Sequence, residues 1–548
     1  MFSSNLIIIA RPAMYRLIPA GAIGALLMPT VVWILSDQHL WAWDQSYYGA
    51  ATLNLWNTHG GGQWLRAMLD ALRSMPPMLV WTAQFLVPLH QVTPDFESAI
   101  LLVNVVFTAG LLALTYATAR RMECGLTASL SGVILVGGSA YIVALSHQYV
   151  VEVSQAFAVA VMLFIAWRVE RLSWVRCAAL LLIGISLTQA AKASSFIFTL
   201  PPLTYCAVVL GTTWKRQKPA STVFDITWLA LALAFFALTA VWYWVNWDHM
   251  MAHFVLSTVA NTGLMAGGPV VDLRQKIPFW VGNMGTGLSP VSAISISALV
   301  MVLVALVVGL RRSRTRQLTM ALQCGIKNGT LFCFMLAGTI IFVILTYSLQ
   351  LNVDTRFLTP LVPFVGVLVA WSLSVSRLKW LSLIFLAAFV VNAAVNHALS
   401  FGWNPWSLTP QGWIQPPERD VAERDRLTAI VAATCKEESA GHWVLLAVNY
   451  AWLNANSANF FAAKDASSLG HRCAYTNFPL FVTDIDKDFS FITDTARPYY
   501  VVTVEPSKQP EPDWVNQLAK PIAERLARDD RFARSAGIGD ITIYRGPD

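Results

Sequence analysis

LIPAGAIGALLMPTVVWILSDQHLWAWDQSYYGAA, residues 17–51, opens with twenty uncharged residues and then meets two carboxylates, Asp37 and Asp44. About 20 apolar residues in a helix cross the roughly 30 Å of hydrocarbon in a bilayer, so residues 17–36 read as a membrane span. The polar and basic stretch before them has no small-residue cleavage site followed by a soluble chain, which predicts a retained span rather than a removed leader. The stretch DQSYYGAA at 44–51, with the carboxylate of Asp44 at its head, then falls just beyond the membrane edge.

Working outward, apolar runs recur near 98–118, 126–145, 153–168, 176–190, 193–211, 226–246, 291–310, 329–349, 358–375 and 380–397. With the first they make about eleven spans. The whole chain of 548 residues is 56% hydrophobic and only 13% charged, about half the charged fraction of a soluble domain. Disorder, coiled coil and nucleic-acid binding fit this composition poorly. The net charge of +7 divides unevenly: residues 1–410 carry 23 Lys and Arg against 12 Asp and Glu, whereas 411–548 carry 15 against 19. A basic membrane body followed by an acidic soluble tail produces that split.

Charge also orients the body. With the N-terminus cytoplasmic, the inner segments hold 17 of those 23 basic residues, Arg120, Arg121, Arg311, Arg312 and Lys379 among them, as the positive-inside rule requires. Nine of the 12 acids, including Asp37, Asp44, Glu152 and Asp354, fall outside. An odd number of spans then puts the tail on the outer side. Long outer loops are expected at 37–97 and 247–290. The first has helical pieces near 46–56 and 63–73, an apolar run at 75–89, and tryptophans 33, 41, 43, 56, 64 and 81 in and around it, which together predict a loop lying on the membrane surface.

From about 411 the pattern changes. The stretches starting at 442 and those at 479–484, 499–505 and 541–545 read as strands, and 423–436 and 514–529 as amphipathic helices. They predict a small α/β domain without a catalytic motif of its own. The seven cysteines form no CxxC or metal-ligand pattern. Cys435 and Cys473, both in the tail, can pair in an oxidising compartment, and a tail free of disulfides is the other reading.

Three places can carry chemistry. Asp44 can hold a metal, accept a proton from a hydroxyl, or cap the next helix. Asp354 and Arg356 in NVDTRFLTPLVPF (352–364) stand before the outer end of a span, where the forked guanidinium suits phosphate; an interfacial Asp354–Arg356 pair is the structural alternative. Lys192 interrupts an apolar stretch and must snorkel, pair or meet an anion, with Glu152 a second carboxylate on the same side of the membrane.

These residues resemble the polytopic GT-C glycosyltransferases that use polyprenyl-phosphate-linked sugars, especially bacterial relatives of protein O-mannosyltransferases and lipid A aminoarabinose transferases. The resemblance runs over roughly residues 15–400 through Asp44-Gln45-Ser46-Tyr47-Tyr48, Met75-Pro76-Pro77, Lys192 and Arg356-Phe357-Leu358-Thr359-Pro360. Gln45 stands where the family has a second acid, which leaves a divalent metal open. The resemblance implies a polytopic α-helical membrane protein, GT-C-like, with a small C-terminal external α/β domain, in a bacterial inner membrane with its tail periplasmic or extracellular. It implies Asp44 as the catalytic carboxylate and Lys192 and Arg356 as contacts to the donor phosphate. Gln45, Tyr47, Tyr48, Glu152 and Asp354 are candidate acceptor or substrate contacts. The implied partners are the lipid bilayer, a polyprenyl-phosphate-linked sugar, and an envelope glycan or glycolipid as acceptor, with no nucleic acid. A transporter or flippase of a lipid-linked substrate, or a non-enzymatic membrane assembly protein, is the competing class.

Overall fold

Every apolar run named above is helical in the computed structural model, which describes residues 4–59, 62–213, 223–258, 273–315, 329–349, 354–376, 378–405, 407–408, 414–439, 441–469, 473–477, 485–490, 498–504 and 519–546. The helices are α1 (Ser4–Ser36), α2 (Trp43–Asn57), α3 (Trp64–Asp70), α4 (Met78–Ala83), α5 (Phe96–Arg121), α6 (Leu126–Gly137) and α7 (Ala140–Ser146). They continue as α8 (Glu152–Arg168), α9 (Trp174–Ala191), α10 (Ser195–Thr213), α11 (Val223–Thr258), α12 (Leu273–Leu288), α13 (Ser292–Thr315) and α14 (Gly329–Leu349). Last come α15 (Val362–Ser376), α16 (Lys379–Ser400), α17 (Val421–Thr434), α18 (Ala455–Leu469), α19 (Ile485–Ser490) and α20 (Ala519–Leu526). The strands are β1 (Trp443–Leu446), β2 (Ala474–Asn477), β3 (Tyr500–Val504), β4 (Ala533–Ile538) and β5 (Ile541–Arg545).

Among the described residues, seven helical stretches are long and apolar enough to cross a membrane, or nine if each of two bent pairs is one span. The runs at 153–168 and 193–211 form the shorter α8 and α10. The chain is a polytopic α-helical membrane protein with a small α/β domain at its C-terminus. Its internal packing divides it into two compact units, one of Met1–Leu35, Leu72–Leu79 and Leu101–Pro416, the other of Ser36–Ala71, Val80–Ile100 and Pro417–Asp548.

In the first unit small residues let membrane helices approach closely, as they must where lipid offers no hydrophobic driving force. α6 and α15 meet at Gly132 and Gly366, where a Cβ on Gly132 would lie 2.4 Å from the Gly366 carbonyl oxygen. The break between α6 and α7 bends the pair by 51°, and that between α12 and α13 by 108°. Such breaks persist inside a membrane only if the freed backbone groups find partners. Two asparagines of α16 supply them: Asn392 Nδ2 donates to the Gly138 and Leu288 carbonyls at 3.2 and 3.0 Å, and Asn396 Nδ2 to Gly138 at 2.7 Å.

The second unit joins most of the first loop to the tail. Its sheet runs β2-β1-β3-β5-β4, with β2, β1 and β3 parallel and β5 antiparallel to both β3 and β4. Three strands were legible from their apolar residues. β4, whose side chains are mostly exposed, has no such signal, and β2 is four residues of mixed polarity. The expected strand at 479–484 lies outside the described residues, as do 514–518 of the expected last helix. Cys435 at the end of α17 and Cys473 before β2 form a disulfide.

The first helix of the first loop buries one face within the second unit. Eight of the fifteen residues of α2 are buried, from Ser46 to Leu55, and they pack on α18. The Trp41 ring stacks on Phe460 at 5.3 Å, and the Ser457 hydroxyl donates to the Trp41 carbonyl at 3.0 Å. Trp33, Trp41 and Trp81 are buried rather than interfacial, while Trp43 is 49% exposed. Helical spacing alone cannot distinguish a face that meets lipid from one that meets a distant segment of the same chain.

Candidate active site

In the first unit two cations and two carboxylates gather at helix ends. Glu152 begins α8, and Lys192 ends α9 in an extended conformation that turns the chain toward α10. Lys192 Nζ donates to Glu152 Oε1 at 2.9 Å, with the two side chains only 14% and 3% exposed. Separating a buried pair costs about 3–5 kcal/mol because it strands a charge, so Lys192 is held where Glu152 sets it. The ammonium also lies 4.3 Å from the centre of the Phe357 ring. Phe357 belongs to the quoted Arg356 motif, yet nothing in the linear sequence shows that it meets Lys192.

Asp354 caps the 3-10 turn Thr355–Leu361, accepting from the Arg356 amide at 3.0 Å. Its other oxygen accepts from Arg356 Nε and Nη2 at 2.8 and 2.7 Å. Asp354 thereby orients one edge of the guanidinium, an argument for a positioning role. Both Lys192 and Arg356 act electrostatically on Glu152, whose Oε2 is buried with no hydrogen-bond partner among the described residues. The structure therefore brings together Glu152, Lys192, Asp354 and Arg356, which the sequence spreads over about 200 residues. His147, near Glu152 in sequence, is buried with its ring stacked on Trp33.

Close by in sequence, α9 and α11 line a cavity of about 720 Å³. Its walls include Gln189, Phe236, Tyr243 and Trp247. Tyr243 donates to the Gln189 carbonyl at 3.0 Å, three residues before Lys192.

Asp44 belongs to the second unit, in the first turn of α2 and exposed. Ala42 occupies the cap position without a side-chain hydrogen bond, so Asp44 is not the helix cap; a carboxylate in a first turn is favoured by the helix dipole. Gln45 and Tyr47 are half-buried, while Tyr48 is 2% exposed and turned inward. Asp37 is also buried, accepting from His39 Nδ1 and from the Glu418 amide at 3.0 Å, which gives it a structural task. Among the described residues no three His, Cys, Asp or Glu side chains gather closely enough to hold a metal ion.

The sequence matches no family model and no curated protein. The fold does have relatives among solved structures. ArnT from Cupriavidus metallidurans in the apo state superposes with a TM-score of 0.57 at 12% identity, over 96% of this chain and 99% of that one. The same protein bound to undecaprenyl phosphate gives 0.55 at 12% identity, with the same coverage. The chain has the GT-C fold. The apo Archaeoglobus fulgidus oligosaccharyltransferase shares it with a TM-score of 0.52 at 12% identity, over 89% of this chain and 69% of that one. The arabinofuranosyltransferase AftD from Mycobacteria gives 0.52 at 14% identity, over 97% of this chain and 40% of that one.

Proposed function

We propose that this GT-C chain is an inverting glycosyltransferase, moving a sugar from a polyprenyl-phosphate donor to an extracytoplasmic glycan or glycolipid. The observation that carries the reading is the Glu152–Lys192–Asp354–Arg356 cluster, two oriented cations at helix ends of a membrane unit. A relative with this fold binds undecaprenyl phosphate, and the cavity between α9 and α11 has the apolar walls that a polyprenyl chain needs.

In this mechanism Asp44 accepts the proton of an acceptor hydroxyl as its oxygen attacks the anomeric carbon from the face opposite the phosphate. The bond to the phosphate oxygen breaks with its electron pair, and Lys192 and Arg356 stabilise the charge that develops there. One displacement inverts the anomeric centre. Glu152 and Asp354 hold the two cations in place. The membrane is the bacterial inner membrane, with the N-terminus cytoplasmic and the tail on the outer side, as the charge distribution favours.

The test is release of polyprenyl phosphate by purified protein, with and without an envelope acceptor extract. Acceptor-dependent release, lost in Asp44→Asn, is expected, with a raised donor KM in Arg356→Ala. Wild-type turnover by Asp44→Asn would remove the base role. Movement of the lipid-linked sugar without chemical change would favour a flippase.

A further inference from the structure

In a sheet of order β2-β1-β3, the chain leaves β1 in one direction to reach β2 and lies on the other side for β3, which makes the carboxyl end of β1 a topological switch point. Open α/β sheets bind ligands at such points because the two flanking connections diverge and leave a crevice. The residues that follow β1 here are Ala447–Asn454, with Asn449, Tyr450 and Trp452 among them.

This loop is built rigidly. Asn454, 1% exposed, accepts the Ser457 amide at 3.0 Å as the cap of α18 and donates to the Tyr450 and Ala451 carbonyls, each at 3.1 Å. The Tyr450 amide donates to the Leu453 carbonyl at 2.9 Å. The Tyr450 and Trp452 rings lie within 6° of parallel at 6.3 Å, and the Arg426 guanidinium sits 4.4 Å from the centre of the Trp452 ring. Both rings are partly exposed. Trp43 joins the same loop through Asn449, to whose Oδ1 its Nε1 donates at 3.3 Å. Trp43 has φ of 34°, a left-handed backbone that costs a non-glycine residue on the order of 1–3 kcal/mol and is kept where function benefits. It directly precedes Asp44.

We propose that Trp43, Tyr450 and Trp452 form a saccharide platform that seats the acceptor sugar beside Asp44. Pyranose C–H bonds carry slight positive charge and meet the negative face of an aromatic ring, while the Arg426 guanidinium, paired with Asp540, covers part of one Trp452 face and fixes that ring in place. A flexible lipid chain would need neither parallel rings nor a fixed loop. The assignment rests on Asp44 being the base, and it identifies the acceptor as a sugar ring rather than a peptide.

The experiment uses the full chain in detergent, an array of hexose, heptose and N-acetylhexosamine oligosaccharides, and oligosaccharides released from a bacterial envelope. Wild type should bind a subset, Trp452→Ala should weaken that binding at least tenfold, and Trp452→Phe should restore most of it. In the transfer assay Trp452→Ala and Tyr450→Ala should raise the acceptor KM at least tenfold while the donor KM stays within twofold. Binding that depends on Trp452 in a protein that never releases polyprenyl phosphate would keep the platform and remove the transferase. Transfer with an unchanged acceptor KM in both variants, or an array and extract that bind wild type and Trp452→Ala alike, would overturn the platform.

Discussion

Gly49 sits five residues after Asp44 on α2, against α18. A Cβ there would lie 2.8 and 2.9 Å from two carbons of the Phe460 ring and 3.1 Å from the Trp41 ring. Neither ring can move aside easily, being 0% and 1% exposed and stacked on each other. In an open helix Gly→Ala gains about 1 kcal/mol; overpacking a closed core costs about 1–3 kcal/mol. These terms balance at about 0–2 kcal/mol, and with ring contacts as short as 2.8 Å we expect Gly49→Ala to destabilise the second unit by about 1–2 kcal/mol, the upper half of that range, and to reduce turnover because it displaces the helix bearing Asp44. Phe460→Leu shortens the obstructing side chain. The double variant Gly49→Ala/Phe460→Leu should therefore be more stable than the sum of the single effects by about 1 kcal/mol or more, as for residues in direct contact. Thermal unfolding and acceptor-dependent release, measured on all four proteins, decide it. Strict additivity, or a Gly49→Ala protein as stable as wild type, would refute the packing argument.

Three further expectations concern the second unit. Glu97 is buried between Lys464 and Arg424, the latter at 3.1 Å. Because Arg424 still compensates Glu97, Lys464→Met should cost less than the roughly 3–5 kcal/mol of a fully stranded charge. Lys464→Met combined with Arg424→Met should cost more than the sum of the two single variants; strict additivity in unfolding temperature would contradict this. Burial alone would lower the His39 pKa, but the hydrogen bond and charge of Asp37, together with the charges of Asp420 and Glu97, outweigh it and raise it. That stabilisation is full below the unfolded value of about 6.5 and fades as pH rises through the higher folded value, so the Tm difference between wild type and His39→Gln should shrink above about pH 6.5. Parallel pH profiles would rule it out. The Cys435–Cys473 bond closes a separation of 38 residues, for which chain entropy gives about 4 kcal/mol. The Cys435→Ser/Cys473→Ser protein should become sensitive to protease in its tail, and unchanged resistance would argue against that contribution.

Much of the architecture was legible because crossing hydrocarbon demands long apolar helices: all eleven expected runs are helical, and among the described residues seven to nine spans meet the length and hydropathy needed to cross, the runs at 153–168 and 193–211 falling short. Local chemistry was legible too: DTRFLTP carries its own cap and ion pair within three residues. What escaped was nonlocal or weakly patterned. β4 has an exposed surface and therefore no alternation. The breaks of α6–α7 and α12–α13 depend on asparagines of α16 that are far away in the chain.

A basic membrane body and an acidic α/β tail can be read from residue order, since hydropathy and charge are properties of single residues and their near neighbours. The contacts that fix Lys192 by Glu152 and set it over Phe357, pack α2 on α18, and join Trp43 to the loop after β1 arise in the folded chain alone. Those outcomes depend on which buried surfaces meet after the chain closes. An apolar face or a lone charge states what it requires, and the fold selects the residue that supplies it.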